Sequence, residues 1–389
     1  MSRPTFARST YDVVVVGAGI IGLYTAYRLA RAGGVRVVAV DRGYLSNGAS
    51  GRNGGGVRQQ WMTPATIRLA RESVEAYRRF PKEFGYNPWF RQSGYLFLAD
   101  SAEALAQLDE TQRRVAAEGL AARRLSPDEV RALLPDANLA GVTGGSYLAT
   151  DGVLYPFPAV WGVYEAARAR GAEIVLGHEF RGAAPTPDGA VRVVTSAGVV
   201  TTAHVVNAAG AWSADVARRA GLDLPNVAVR HEICATEPLK PFLDPMVVRA
   251  SDGLYVSQTM RGELVGGLTM SHPPGLEPGA RTSGAFFARY ARALLGLFPQ
   301  LGSLGILRAW AGYYDESPDG LPFLGPDPRA PWLVHANGLG GHGFMLAPAV
   351  GDRVARAVLG EPAADSAVYS LARWLAPEGR RPAERLTLG

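Results

Sequence analysis

One unit near the N-terminus constrains the fold of this chain more than any other feature. Residues 11–16 (YDVVVV) end in four consecutive valines, a pattern typical of a strand that is buried on both faces. The sequence continues through G-A-G-I-I-G at residues 17–22, a helical pattern closed by two glycines, and a second strand that ends at Asp41. A strand, a G-x-G-x-x-G turn, a helix, a strand and an acid in this order predict a Rossmann-type dinucleotide-binding unit.

Each glycine of the turn has its own physical role. Gly17 permits the tight turn, Gly19 lets the backbone approach a pyrophosphate, and Gly22 lets the helix pack closely against the strand. The N-terminus of the helix offers unpaired N–H groups and the positive end of a dipole to phosphates. Asp41 is placed to accept hydrogen bonds from ribose hydroxyls, which argues against a 2′-phosphate but does not distinguish NAD from FAD.

The bulk composition excludes several classes of protein. The 389 residues, 47% hydrophobic and 19% charged, suffice for two domains with sizeable cores. The net charge is +5, yet 38 of the 40 basic residues are arginines scattered among acids, so no nucleic-acid binding is predicted. No apolar run is long enough for a transmembrane segment, and the first ten residues lack the apolar core of a secretory signal. Cys234 is the only cysteine, so we expect no disulfide framework, no metal site and a cytoplasmic location.

The remaining chain alternates helical and strand-like patterns without repeats or low-complexity linkers. Helices are predicted at 64–80, 102–120, 126–134, 158–171 and 283–298, and strands at 93–98, 173–176, 191–195, 199–206, 227–236, 246–248, 253–258, 263–269 and 332–336. The parallel, nucleotide-binding elements fall in separated blocks, and the alternation between 227 and 269 indicates an antiparallel sheet. We therefore predict an α/β plus α+β fold. It comprises a Rossmann-type domain (1–80, 150–225 and 320–389) and a discontinuous, mainly antiparallel-sheet substrate domain (81–149 and 226–319).

Three further segments are rich in small residues. They are the loop at 43–61, the N-A-A-G-A-W-S turn that follows a buried strand at 207–213, and G-L-G-G-H-G-F-M-L-A-P-A-V-G at 338–351. Glycine loses the most conformational freedom on folding, so such clusters need a local reason. Close approach of the backbone to a ligand is the reason we expect.

Four motifs of this chain resemble those of the D-amino-acid oxidase superfamily of flavoproteins. The motifs are VVVVGAGIIGLYTAYRLA with Asp41, ASGRNGGGVRQQW at 49–61, NAAGAWS at 207–213, and WAGYYDESPDGLPFLG at 310–325 followed by GLGGHGFM. The 49–61, 310–325 and 338–345 segments most resemble the branch of the sarcosine oxidase β-subunit, the dye-linked L-proline dehydrogenase β-subunit and glycine oxidase. This resemblance implies a Rossmann-type FAD-binding domain and oxidation of the C–N bond of a small amino acid or secondary amine. It also implies that hydride passes to flavin N5 and that the resulting imine is hydrolysed.

The resemblance implies that the glycine loop at 338–343 contacts the flavin. Reduction places negative charge on the N1–C2=O edge of the flavin, and a glycine loop lets backbone N–H groups approach that edge. A helix is expected to start near Met345, with Pro348 tolerated in its first turn and its positive end directed at the flavin. The alternative is a plain corner between a strand and a helix.

The cofactor contacts that follow from the motifs belong to these four segments. They are Gly17, Gly19, Ile20, Gly22, Asp41, Arg42, Ser50, Arg52, Asn53, Gly54, Gly55, Ala209, Gly210, Trp212, Gly340, Gly341, Gly343, Phe344 and Met345.

Four residues are the candidates for substrate chemistry. By the resemblance, Arg58 is the anchor of a substrate carboxylate, or else a structural arginine beneath the loop. Tyr255 contacts the substrate or is a core tyrosine, and His342 contacts the flavin, tunes a substrate proton or is structural. Tyr314 stands where D-amino-acid and glycine oxidases carry a carboxylate-binding arginine, which argues against their mode of recognition. His231 is a further residue that could face the pocket.

We expect the FAD to be noncovalent. The cysteine that tethers flavin in monomeric sarcosine oxidases has no counterpart in WAGYYDE, and the histidine that carries FMN in heterotetrameric ones is missing around residues 155–161. The electron acceptor is O2 or another molecule; the strand ELVGGLT lacks the lysine that assists oxygen in some relatives, which favours another acceptor. Two alternatives stay open: a flavin-carrying subunit of a hetero-oligomeric complex, and an FAD enzyme acting on a non-amine such as a 2-hydroxy acid. A homo-oligomer is equally compatible with the sequence.

Overall fold

The computed structural model describes residues 6–277, 279–376 and 384. Its strands are β1 Val13–Val16, β2 Val37–Asp41, β3 Gly56–Val57, β4 Tyr95–Ala99, β5 Arg123–Leu125, β6 Gly144–Leu148, β7 Gly152–Val153, β8 Glu173–Leu176, β9 Phe180–Pro185, β10 Val191–Thr195, β11 Gly198–Thr202, β12 His204–Asn207, β13 Val227–Pro238, β14 Met246–Arg249, β15 Tyr255–Gln258, β16 Glu263–Gly267, β17 Ile306–Glu316, β18 Phe323–Asp327, β19 Ala330–Asn337 and β20 Leu339–Gly340. Its helices are α1 Ile20–Ala32, α2 Pro64–Phe84, α3 Ala102–Ala117, α4 Pro127–Leu133, α5 Pro156–Ala169, α6 Ser213–Arg219, α7 Gly284–Leu297, α8 Gly343–Val358, α9 Ser366–Tyr369 and α10 Ala372–Leu375.

A six-stranded sheet in the order β18-β19-β12-β1-β2-β8 forms the Rossmann-type part. All neighbours pair in parallel except β18, which is antiparallel to β19. Helices α1, α5 and α8 cover one face of this sheet in a single apolar core. The four valines of β1 are buried, as expected of a strand covered on both faces.

A nine-stranded sheet forms the second part, in the order β20-β17-β13-β16-β15-β14-β4-β6-β5. Its pairs are antiparallel apart from β14 with β4. Helix α7 packs on it in a separate apolar core. The two-sheet architecture confirms the predicted fold class, and the exact domain boundaries stay a prediction.

The strand predicted at 199–206 is wrong as a single element. The chain bends at Ala203, so that β11 pairs with β10 in a small antiparallel sheet while β12 enters the six-stranded sheet between β1 and β19. Both halves are β-prone, and only their partners in space distinguish them.

Helix boundaries differ from the predictions where tertiary packing overrides a local signal. α2 was expected to stop at residue 80, before Pro81, but it continues to Phe84 and ends at Gly85 with φ +72°. The extra turn buries Phe84, whose ring packs 5.9 Å from Tyr24 and 5.0 Å from Tyr27 of α1. In α4 the predicted N-cap is confirmed, because Ser126 and Glu129 form a reciprocal capping box.

Within the described ranges, no helix has the length and apolar character needed to cross a bilayer.

Candidate active site

A cavity of about 820 Å³ joins the segments that the sequence singled out. Its wall contains the turn before α1, the end of β2, the 208–212 turn, parts of β13 and β17, and the start of α8. The loop at 44–56 forms another part of the wall. Segments far apart in sequence therefore meet around one space, as a bound dinucleotide requires.

The turn before α1 has the geometry expected of a nucleotide-binding loop. Gly17 has φ +105°, and a Cβ added there would collide with the carbonyl oxygen of Ala208. A Cβ on Gly22 would collide with the carbonyl oxygen of Gly17. Both positions therefore require glycine, the first for backbone conformation and clearance and the second for packing.

Asp41 lies at the end of β2 and lines the cavity, but its carboxylate is already used by the protein. Oδ2 accepts from the Ala18 N–H at 2.8 Å, and Oδ1 accepts from the Gly43 N–H at 2.7 Å. The carboxylate thus orders the turn itself. Nearby, the Arg42 guanidinium stacks on the Trp212 ring at 4.2 Å, which forms a flat surface on the same wall.

The loop at 49–56 is tied down by its own polar side chains. Asn53 donates to the carbonyls of Ala49 and Ser50 and accepts from the Gly55 N–H. Arg52 donates to the carbonyls of Asn47 at 2.9 Å and Ala311 at 2.8 Å. The Ser50 hydroxyl accepts from the Ile20 N–H at 2.9 Å, so one of the N-terminal N–H groups of α1 is held by protein.

The glycine loop meets β17 before α8 begins. α8 starts at Gly343 with His342 as its N-cap, two residues before the predicted start. A Cβ on Gly341 would collide with the Tyr314 ring, so only glycine fits there. The N–H groups of the first helical residues Gly343, Phe344 and Met345 have no partners within the helix, and all three residues line the cavity.

Pro348 lies in the second turn of α8, which corrects the expectation of the first turn. A proline there leaves the carbonyl of Phe344 without its helical donor. The Tyr77 hydroxyl of α2 donates to that carbonyl at 2.5 Å. Tertiary contact with α2 therefore makes this buried proline tolerable.

We expect Tyr77→Phe to lower the free energy of unfolding by about 1–3 kcal/mol, because the buried Phe344 carbonyl loses its donor. Tyr24→Phe is the matched control: Tyr24 is equally buried, but its hydroxyl has no hydrogen-bond partner among the described residues. Denaturant unfolding of the two variants measures the difference. Equal losses in both variants would contradict the assigned role of Tyr77.

Aromatic residues from the nine-stranded sheet line another part of the cavity. They are Tyr95, His231, Tyr255 and Tyr314. The His231 and Tyr314 rings stack with centroids 3.6 Å apart. Burial, with a smaller effect of His272, lowers the pKa of His231 to about 4, so this imidazole is neutral near pH 7. Burial raises the pKa of Tyr314 to about 12, and the phenol remains a hydrogen-bond donor.

Arg58 and His342 lie behind this wall and do not line the cavity. Arg58 is fully buried, and its Cζ lies 3.8 Å from the centroid of the Trp61 ring. Nη1 donates to the Gln60 carbonyl at 2.9 Å, and Nη2 lies 3.3 Å from His342 Nε2. Burial lowers the pKa of Arg58, while the Arg58 charge opposes the rise in the pKa of Tyr314. The guanidinium itself does not line the cavity, so its positive charge reaches the cavity only across the Tyr314 ring.

The cavity residues that the sequence analysis did not single out include Tyr95, Met246 and Asp315. Tyr95 and Met246 become neighbours because β4 and β14 pair in parallel, which no local pattern indicates. Asp315 lay inside a recognised motif, in the G-Y-Y-D stretch, but no local pattern indicated that its carboxylate is buried beside the glycine loop. Burial raises the pKa of Asp315 to about 7.

Comparison with known proteins gives one consistent result. The family described as FAD dependent oxidoreductase (DAO) matches residues 12–357. The sarcosine oxidase subunit beta of Rhizobium meliloti is 31% identical, over 94% of this chain and 88% of the relative. The glycine oxidase of Pseudomonas aeruginosa is 32% identical, over 95% of this chain and 99% of the relative. The solved L-proline dehydrogenase of P. horikoshii superposes with a TM-score of 0.90 at 30% identity, over 96% of this chain and all of that one.

Proposed function

The chain belongs to the FAD dependent oxidoreductase (DAO) family, and from that premise we propose that it oxidises the C–N bond of a small amino acid or secondary amine of the sarcosine, proline or glycine type. It is an FAD-dependent oxidoreductase. The observation that carries the substrate proposal is the neutral aromatic wall of Tyr95, His231, Tyr255 and Tyr314, which adjoins the glycine loop in one cavity.

The residues present fit FAD. Gly17 and Gly341, where a Cβ would collide with Ala208 and Tyr314, keep the backbone of both turns at the cavity wall, and the N-termini of α1 and α8 both adjoin the cavity. Helix N-termini favour negative charge, so one suits a pyrophosphate and the other suits the pyrimidine edge of a flavin. Arg42 stacked on Trp212 provides a flat surface for an adenine. Bound FAD supplies the hydride acceptor for the oxidation.

The chain's own residues would bind and orient the substrate. Neutral rings hold the α-carbon of an amino acid without placing a charge beside it. The hydroxyls of Tyr255 and Tyr314 donate to the carboxylate, because burial raises the pKa of both phenols and keeps them protonated. The neutral imidazole of His231 accepts a hydrogen bond from the amine N–H.

Arg58 contributes to this binding as a charge behind the wall. Its guanidinium stays with Trp61 and Gln60, and its attraction for a carboxylate is exerted across Tyr314. In a buried setting this attraction is much less screened than at a surface.

The FAD is proposed to be noncovalent. Cys234, the only cysteine, is buried in the core under the nine-stranded sheet and does not line the cavity. The intact mass of the denatured chain should equal that of the polypeptide alone, and all flavin should appear in the supernatant.

Anaerobic reduction of the bound flavin tests the substrate class. Sarcosine, proline and glycine should bleach the flavin absorbance of the purified holoenzyme, whereas 2-hydroxy acids and glycerol phosphate should not. Turnover of one active substrate with O2 and with a redox dye then identifies the acceptor, and we expect the dye to be reduced faster. Bleaching by a 2-hydroxy acid without bleaching by any amine would replace the proposal with the non-amine alternative.

A surface patch favours the second candidate, a flavin-carrying subunit of a larger complex. Trp89 and Phe157 expose 50% and 51% of their area, and with Tyr155 and Met260 they line a second cavity of about 200 Å³. Clustered exposed aromatics are typical of protein interfaces. Relatives named as subunit beta match along most of their length. Sustained dye-linked turnover by the isolated chain, equal to that of any complex it forms, would exclude an obligatory partner.

A further inference from the structure

Asp315 is a buried carboxylate directly behind the glycine loop. Its strand β17 pairs with β20, and the register places Asp315 opposite Gly340. Oδ2 accepts from the Gly338 N–H at 2.6 Å, and Oδ1 accepts from Asn226 Nδ2 at 2.9 Å. Asp315 also lines the cavity, alongside Gly340, Gly341 and Met345. The carboxylate therefore lies beside the part of the cavity that fits the flavin edge.

The surroundings of Asp315 do not compensate its charge. Both hydrogen-bond donors are neutral, and among the described residues Asp315 forms no ion pair. On its own strand, Glu316 disfavours ionisation and Tyr314 is neutral. A buried anion with only neutral donors is readily protonated.

The titratable groups on the elements packed around Asp315 interact with residues other than Asp315. On β13, Arg230 pairs with Glu277 and His231 stacks on Tyr314. On β19, His335 is reached only through Asn337 and lies 3.1 Å from the Asp327 carboxylate. At the start of α8, His342 contacts Arg58.

We propose that Asp315 takes up one proton from solvent when two electrons enter the bound flavin, so that reduction of the cofactor is coupled to protonation of this carboxyl group. The flavin would take the two electrons together with one proton, which forms its N5–H bond, and a further proton from solvent adds to the Asp315 carboxylate to form a carboxylic acid; no group leaves. The physical cause is that new negative charge beside a buried carboxylate disfavours its ionised form. The inference rests on FAD binding and not on the identity of the substrate.

Two observations support this coupling. Because burial already raises the pKa of Asp315 to about 7, a modest further rise changes its protonation near neutral pH. In addition, Asn226 Oδ1 is buried without a hydrogen-bond partner among the described residues. A rotation of this amide would present Oδ1 to Asp315, so the site can accept a hydrogen bond from the protonated acid as well as donate to the anion.

The pH dependence of the flavin midpoint potential tests the proposal in the FAD-loaded protein. Each proton bound with two electrons steepens this dependence by about 30 mV per pH unit. Above about pH 7 the oxidised protein carries an ionised Asp315. In that range the midpoint potential of the wild type should therefore change more steeply with pH than that of Asp315→Asn, by up to about 30 mV per pH unit. Glu316→Gln is the matched control, since it removes a neighbouring acid outside the cavity wall and should keep the steeper slope.

Equal slopes in wild type and Asp315→Asn would overturn the proposal. The electrodes and mediators supply the electrons, so the result does not depend on whether an amine is the substrate. If Asp315→Asn fails to retain FAD, the wild type labelled with 13C-carboxyl aspartate provides the readout. A label-sensitive carboxylic acid band should appear in its infrared spectrum on reduction at about pH 8, and its absence would equally refute the coupling.

Discussion

Replacing Gly17 by alanine should yield a chain that retains almost no FAD. Gly17 has φ +105°, and alanine there costs about 1–2 kcal/mol in backbone conformation alone. The added methyl group would also collide with the carbonyl oxygen of Ala208, which directly follows β12. Only movement of the turn away from β12 relieves this overlap, and that movement displaces the N–H groups that we assign to the pyrophosphate.

The flavin absorbance per chain after purification, and the Kd from titration with added FAD, measure this effect. Gly34→Ala is the matched control, because Gly34 has φ +69° near the C-terminal end of the same helix but no atom within 4 Å of an added Cβ. It should share the conformational cost and keep its FAD. Equal FAD retention by Gly17→Ala and Gly34→Ala would show that this turn does not contribute to FAD binding.

Removing the charge of Arg58 should weaken the binding of an amino acid more than it slows the chemical step. Arg58→Met keeps a long side chain against Trp61 but leaves no charge behind Tyr314. At an effective dielectric constant of about 20, a charge roughly 7 Å from a carboxylate contributes about 2 kcal/mol, or about 30-fold in KM. We expect kcat to change less, because the carboxylate is bound equally in ground and transition states.

A substrate without a carboxylate sharpens this test. An N-methyl amine that bleaches the flavin should show the same KM in wild type and Arg58→Met, since it has no charge for Arg58 to attract. Arg91→Met is the control variant, because Arg91 also donates to a backbone carbonyl, that of Gln258, but is partly exposed and lies on the second cavity. If KM for the amino acid stays constant while the free energy of unfolding falls, Arg58 is a structural arginine, the alternative that its sequence position left open.

Several elements of the fold were predictable because their signals are local. The strand at 173–176 and the strand at 191–195 were predicted with their observed bounds, and Ser126 caps α4 as its spacing to Glu129 indicated. The segments around Gly17, Gly54, Gly210 and Gly341 all line one cavity, as expected from their small residues.

Other features could not be read locally. Pro81 and Pro348 both lie within helices, and contacts between α1, α2 and α8 make this possible. Arg58 stood in the right motif, yet whether its guanidinium enters the cavity depends on Trp61, Gln60 and His342, which surround it.

The sequence by itself determined the nucleotide-binding turn, the class of fold and the family, because these depend on glycines, periodicity and motif order along the chain. The tertiary structure alone decided which side chains face the cavity and how they are charged. Asp315 illustrates the reason: its exposure to the cavity follows from the pairing of β17 with β13 and β20, and burial raises the pKa of Asp315 to about 7. Burial and strand register depend on contacts with residues that are distant in sequence, so no local pattern encodes them.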